Sequence, residues 1–385
     1  MKSISSVLPL GHFVIGDTHL VSSNVPENEY SAWAAGATYA LGDRVQIVSP
    51  TSTVTFTIAS PAVCTWTAHG LPDGTPLYFT TTSTLPMGIV AGRYYFTRDA
   101  TANTFKLSAD PDGTAIVTSG SQSGTHTAFA TRHDVYESLV GSNLGNPPAI
   151  SPNHWVRVDS TNRWRAHDDS MGSQTVNADT IENVYSSAGI TDGVALLNID
   201  AAEVHVTQTD AVAGVVYDET VSGVMHSGIT DFYPWFFAPP VRVSDVVLTG
   251  LKPYLNSTVA VTLTDIGGMP KLGECVIGKL FEAGSTRFGL RTGIQSYSIK
   301  EANPFGIVKV KKRGFSRTED MQVYVDNINL DRLVRFLESV RDTPIVYIGA
   351  DPYSSAIAFG FYNSWETVID YPTQSLLTIS IASLV

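Results

Sequence analysis

The sequence predicts a mainly β protein of several β-sandwich or β-barrel domains with one C-terminal helix. Three observations lead there. The chain is rich in Thr, Val, Ser, Tyr, Phe and Gly, the residues of pleated strands and their turns. Apolar residues alternate with polar ones over short runs bounded by Gly, Pro, Asn and Asp. Only one stretch carries the three-to-four-residue apolar spacing of a helix face. With 385 residues, 43% of them hydrophobic, the chain has the length for roughly two to four domains, each with its own core.

Taken in order, residues 1–29 read as an N-terminal arm. Residues 30–48 place Trp33 and Tyr39 before a Gly42-Asp43 turn and a Val45 strand, a small unit whose aromatics can supply a core too small for aliphatic side chains. Residues 51–129 change style. They are rich in Thr and Gly, with turns at 69–74, 85–88 and 110–113 around short strands at 54–58, 94–98 and 104–107. Residues 130–158, with Tyr136, Gly145-Asn146-Pro147 and Trp155, resume the earlier aromatic style. One small module, 30–50 plus 130–158, is therefore expected to be split by an inserted β domain, as exposed loop tips tolerate. Longer strand runs at 194–199, 203–207 and 215–217 predict a β-sandwich over 159–270, and 271–385 reads as a C-terminal β domain. Its helix spans 329–341, with Leu330, Leu333, Val334, Leu337 and Val340 on one face and Asn327 or Asn329 as cap. Asp342-Thr343-Pro344 stops it, because the residue before proline avoids the helical region.

The formal net charge of −12 argues against general nucleic-acid binding. The charge is uneven, however. From Lys279 to Arg317 there are nine Lys/Arg against Glu282 and Glu301, a local +7. Within it, Lys309, Lys311 and Arg313 alternate with Val308 and Val310, which predicts charge outward and valine inward. A solvated strand face, an acidic neighbouring subunit and DNA all fit that face. The aromatic run Phe232, Tyr233, Trp235, Phe236, Phe237 fits a core or a subunit interface, where large aromatics anchor contacts.

The sequence holds several near-matches to catalytic and metal-binding patterns. Gly273 to Lys279 approaches a phosphate loop, but Leu280 stands where Ser or Thr must hold magnesium. Gly120 to Gly124 puts Gln122 where a serine nucleophile belongs. His167-Asp168-Asp169 reads as a polar turn, and Asp110 to Gly113 falls short of a calcium loop. Asn256-Ser257-Thr258 fits a glycosylation signal. Cys64 and Cys275 fit two buried thiols or one disulfide, and no zinc spacing is present. No catalytic residue, metal or cofactor is expected. No apolar run suits a membrane helix, and residues 1–17 lack the charged and apolar regions of a secretory signal, so synthesis in a cytoplasm without signal-peptide export is expected.

The frame Trp33, Tyr39, Gly42-Asp43, Val45, then Tyr136, Gly145-Asn146-Pro147 and Trp155, resembles small carbohydrate-binding-like modules of phage virion proteins and chitinases. The inserted stretch, with His69-Gly70-Leu71, Leu85 to Ile89 and Asn103 to Ser108, looks like a β domain repeated in phage tail and fibre proteins. Lys311 to Ser316, Arg341 to Pro344, Phe359 to Tyr362 and Tyr371-Pro372-Thr373 are similar to tail proteins of long-tailed phages of Gram-negative bacteria. The resemblance covers most of the chain and implies a non-enzymatic tail-tip or baseplate protein of the virion, made in the host cytoplasm. Its implied partners are copies of itself, other tail proteins and host-surface polysaccharide. Trp33, Tyr39 and Trp155 are the candidate glycan residues, though they equally suit the module's core. Lys309, Lys311, Arg313, Phe232 and Trp235 are the candidate assembly residues, with a tail-lumen DNA contact as the rival role for the basic strand.

Overall fold

In the computed structural model, the described residues are 6–12, 15–110, 113–186, 189–225, 231–237, 241–302, 305, 308–349 and 356–384. The chain is mainly β with several sheets and a C-terminal helix. It divides into two compact units: Met1–Ile15, His19–Val25 and Arg165–Val385 form unit 1, and Gly16–Thr18 with Pro26–Trp164 form unit 2.

Unit 1 is organised by a long antiparallel sheet. Its strands run Val246–Thr249, Gly193–Leu197, Glu274–Leu280, Ser6–His12, Gly284–Thr286, Phe315–Asp326, Gln374–Ser383, Ile357–Val368 and Ile345–Ile348. Ser6–His12 also pairs with Ile345–Ile348, with Leu8 opposite Ile348 and Leu10 opposite Val346, so six of these strands close on themselves. Closure removes the free edges that would otherwise template pairing with another chain. Gly284 makes the turn into this ring possible. Its φ is +142°, and a Cβ there would stand 2.2 Å from the Tyr324 carbonyl oxygen. Gly193–Leu197 is buried at every position, as expected for a strand covered on both faces.

A second, five-stranded sheet of unit 1 has the order Gly214–Ser222, Glu203–Asp210, Ser257–Thr264, Thr180–Ser186, Leu20–Ser23. Ser257–Thr264 alternates strictly between buried and half-buried residues, placing Val259, Val261 and Leu263 inward.

Two segments differ from the expected boundaries. Within the expected N-terminal arm, Ser6–His12 is paired on both edges and Leu20–Ser23 pairs with Thr180–Ser186, so these strands belong to the sheets of unit 1. The expected border near residue 270 is crossed by the long sheet, where Leu196 lies opposite Cys275. Both pairings span long sequence separations that local patterns do not encode.

The helix α2, Leu330–Ser339, lies inside the expected range. It buries Leu333 and Leu337 against Met321, Val323, Val325, Ile379 and Ile381. Each such leucine contributes about 1.5–3 kcal/mol by leaving water. Phe336 stacks on Phe281 at 4.4 Å, and the Arg332 guanidinium covers the Phe281 ring at 5.0 Å. Asn329 stands at the N-cap but makes no side-chain capping bond, whereas the Asn327 side chain reaches the Tyr371 carbonyl at 2.9 Å. A shorter helix, α1 (Phe232–Phe237), arises within the aromatic run, where the sequence suggested no helix.

Unit 2 contains a closed antiparallel barrel of His126–Ala130, Thr51–Phe56, Cys64–Thr65, Thr104–Ser108, Tyr95–Arg98 and Pro76–Thr81. Phe56, Trp66, Leu77, Phe79, Tyr95, Phe105 and Leu107 fill it. The same unit holds a three-stranded sheet, Trp155–Ser160, His133–Ser138, Arg44–Val48, and a two-stranded piece, Asn143–Leu144 with Thr38–Tyr39. Cys64 and Cys275 are both buried free thiols.

Candidate functional site

The small aromatic module answers the question its sequence left open. Trp155 is 2% exposed and forms a core with Val45 and Tyr136. Its Nε1 donates to the Asn146 carbonyl at 2.9 Å. Tyr39 meets the Trp155 ring edge-on at 5.1 Å, and its hydroxyl accepts from the Ala34 N–H at 2.8 Å. These two rings are structural, so Trp33, Tyr39 and Trp155 do not form an exposed row for a sugar. Trp33 packs on the same core from its margin and also lines a cleft of about 320 Å³.

The walls of that cleft bring together Trp33, Trp66, Pro147 and Pro148 with the polar groups of Gln46, His69 and Arg132. Among the described residues, no carboxylate lines it. Arg132 is held by Asp134, which accepts from its Nε at 2.9 Å and its Nη2 at 2.6 Å, and by the Tyr136 hydroxyl. Among the described residues its Nη1 finds no acceptor, and neither does Trp33 Nε1. His69 accepts the Leu71 N–H at Nδ1, at 2.9 Å. Burial keeps its pKa low, against the opposing pull of the Thr104 and Thr101 backbones, so it is neutral at pH 7.

A second cluster in unit 2 has the outline of a nucleophile, base and acid. His133 Nδ1 lies 2.6 Å from Glu27 Oε1, and Nε2 lies 3.1 Å from Ser49 Oγ. Ser49 has a φ of +28°, uncommon for a non-glycine residue. The chemistry does not follow, because Asp17 intervenes. Its Oδ1 is 2.7 Å from His133 Nε2, and its Oδ2 accepts from Ser49 Oγ at 2.7 Å. Burial opposes charge on His133, but Asp17 and Glu27 outweigh it and raise the pKa. The imidazolium then gives both N–H groups to carboxylates and has no lone pair for the serine proton. The ring also stacks on Trp164 at 4.1 Å, and Thr161 Oγ1 donates to Glu27 at 2.6 Å. This is an ionic clasp binding residues 17 and 27 to the small module. Sequence reading missed it, since its members lie 84 to 116 residues from His133.

In unit 1 the basic region forms an extension. Arg291–Ser296 pairs with the start of Phe315–Asp326, and Ile299–Ala302 pairs with Val308–Lys311. Lys309, Lys311 and Arg313 are exposed. The expected inward face is absent: Val308 and Val310 are 54% and 61% exposed, so the alternation has no core beneath it. Ile294, Phe305 and Phe315 are exposed as well. On α1, Phe232, Tyr233, Phe236 and Phe237 are all exposed, which excludes the core reading for them. The side chain of Trp235 lies outside the described residues.

Two carboxylates are buried on strands of unit 1. Glu319 is 1% exposed and its oxygens find no donor among the described residues. Burial pushes its pKa up to about 8 despite Arg317. Glu274, fully buried beside Asp169 and Asp168, is raised by burial first and by those charges second. It lies in the strand Glu274–Leu280, which occupies the stretch that approached a phosphate loop. Among the described residues, no group of three or more His, Cys, Asp or Glu gathers to hold a metal ion. No described helix is long and apolar enough to cross a membrane. No protein-family model matches the chain, and no curated protein or solved structure matches it.

Proposed function

We propose that this chain is a structural, non-enzymatic component of a phage tail tip or baseplate, and that it assembles with copies of itself and with neighbouring tail proteins. The observation that carries the reading is the extension over residues 291–317. A two-stranded ribbon is marginal in water by itself. This one exposes valine, isoleucine and phenylalanine together with its lysines and arginines. Apolar side chains on such a ribbon gain nothing in a monomer and contribute once a partner covers them.

Charge indicates the partner. Residues 279–317 carry +7 while the whole chain carries −12, so the remainder carries −19. Another copy of the same chain offers the complementary surface, as a heterologous, ring-forming contact requires. The sequence resemblance to tail proteins points to the same setting, the virion.

Replacing Lys309, Lys311 and Arg313 with Gln tests this. Exposed ion pairs contribute only about 0–1 kcal/mol each and are screened by salt. The triple variant should fold normally, with particle mass by light scattering and incorporation into tails both reduced, most clearly at low ionic strength. Unchanged assembly at every salt concentration would return the strand to a solvated face.

A further inference from the structure

We infer that the basic ribbon of one copy adds to the open edge of the strand Gly214–Ser222 in the next copy and extends its five-stranded sheet. This contact rests on the assembly reading above and gives the ribbon a defined partner surface, on unit 1 of a second copy.

An open sheet edge presents unpaired N–H and C=O groups that pair readily with another strand. Gly214–Ser222 is such an edge. It ends the five-stranded sheet of unit 1 and pairs with Glu203–Asp210 alone among the described residues. Of the strands that end a sheet among the described residues, it is the longest, at nine residues, and it alone carries net negative charge. Every one of its residues is exposed or half-buried. The usual protections of an edge are missing. It holds no Lys and no Pro, and its one register shift, at Val216 near the turn, leaves 217–222 regular.

Charge selects the ribbon as the occupant. Residues 203–222 hold Glu203, Asp210, Asp218 and Glu219 with no Lys or Arg, a local −4. Residues 299–313 hold five Lys/Arg against Glu301, a local +4. Val308–Lys311 has an open edge of its own, since it pairs only with Ile299–Ala302 among the described residues. Laid beside 217–222, its alternation suits both faces of the sheet. Asp218 and Thr220 lie opposite Thr207 and His205, on the face away from the buried Val204 and Val206. Lys309 and Lys311 on that face reach Asp218, whose side chain is 62% exposed and lies 2.8 Å from His205 Nε2. Val308 and Val310 then fall on the other face, beside Tyr217 and Val221, and leave water. In such strand addition the main-chain bonds supply affinity, and opposite charges across neighbouring strands fix the register. Ribbon and edge are different surfaces of one chain, so every copy offers both, as a heterologous contact requires.

The test mixes two charge-reversed full-length chains. Asp218→Lys with Glu219→Lys makes the edge basic, and Lys309→Glu with Lys311→Glu makes the ribbon acidic. All four residues are exposed, so both variants should melt like the native chain. Light scattering at low salt should show association of the native chain that weakens as salt rises. Each variant alone should show a mass at least twofold lower. Mixing the two should restore the native mass, because each chain then meets opposite charge at both surfaces. Should the edge variant melt early, Asp218→Asn with Glu219→Gln takes its place in the comparison of single variants, again with a mass at least twofold lower. Native association with an unchanged mass for the edge variant, or with no recovery when the two charge-reversed chains are mixed, would overturn this contact and leave the assembly reading standing. A native chain that stays monomeric at every concentration and salt would overturn both.

Discussion

The barrel of unit 2 and the extension of unit 1 are both built from short alternating strands, yet they use alternation in opposite ways. In the barrel, strand closure gives every second residue an interior, and Phe79, Tyr95, Phe105 and Leu107 are each at most 1% exposed. In the extension no second layer exists among the described residues, so Val308 and Val310 are exposed like Lys309 and Lys311. Period-two alternation states which residues share a face. Whether that face meets a core, a partner or water is decided by strands far away in sequence.

The sharpest way to break the comparison is a matched pair of truncations. Phe79→Ala removes a fully buried ring that meets Phe56 edge-on at 4.9 Å and Tyr95 at 6.1 Å. It should destabilise unit 2 by about 3–5 kcal/mol in chemical denaturation. A loss below about 1 kcal/mol would mean that the barrel core is not packed as described.

Next in size is the clasp. His133→Gln leaves Asp17 and Glu27 buried without their shared cation, a loss of about 3 kcal/mol. The sign of the pH dependence is fixed by the raised pKa. The folded state holds the proton more tightly than the unfolded chain, so the contribution of His133 is fully present below its ordinary value near 6.5. It is lost as pH rises through the folded value. Unit 2 of the native protein should therefore lose stability on going from pH 6 towards alkaline pH, and His133→Gln should lack this slope between those limits. Identical slopes in the two proteins would show that His133 does not carry the charge.

Much of the local structure was legible before any coordinates. The spacing of Leu330, Leu333 and Leu337 placed α2, and Asp342-Thr343-Pro344 marked where it stops, because both signals lie within one or two turns of chain. The aromatic style shared by Trp33 and Trp155 tied together residues more than a hundred positions apart, although it did not say that Trp155 is core. What escaped was set by distance. The pairing of Ser6–His12 with three other strands, the His133 clasp and the walls of the cleft each join segments with no common local pattern. Phe232 to Phe237 escaped for another reason: apolar composition predicts burial only where a neighbour is present to provide it.

Glu319 sharpens the contrast where the two styles of strand meet. Its strand, Phe315–Asp326, begins in the extension and continues into the closed ring, and Glu319 lies opposite Thr292 on one side and Ile381 on the other. The carboxyl keeps its proton up to about pH 8, whereas the unfolded chain releases it near 4.5. Folding is therefore progressively disfavoured by this group as pH rises between those values. Glu319→Gln, which mimics the protonated form, should be nearly neutral at pH 5 and stabilising by about 1–3 kcal/mol at pH 8. A stability difference independent of pH would show that Glu319 is not held neutral by the fold.

The smallest effect on stability, and the one that bears most directly on assembly, concerns the valines of the extension. Val308→Thr with Val310→Thr keeps β-branched side chains and strand propensity, so the ribbon itself should persist. Both residues are more than half exposed, and surface changes of this kind usually fall within about 0.5 kcal/mol. Chemical denaturation should thus hardly distinguish the double variant from the native chain. Association should distinguish them, since two apolar groups that a partner would bury have become polar. Light scattering at fixed concentration should show a lower mass for the double variant, and high salt should not reproduce that loss in the native chain in full, because apolar burial is not screened. If instead the double variant unfolds more readily by more than about 1 kcal/mol while its mass stays native, the valines serve a core within the single chain, and the extension is then an ordinary sheet edge like any in the barrel.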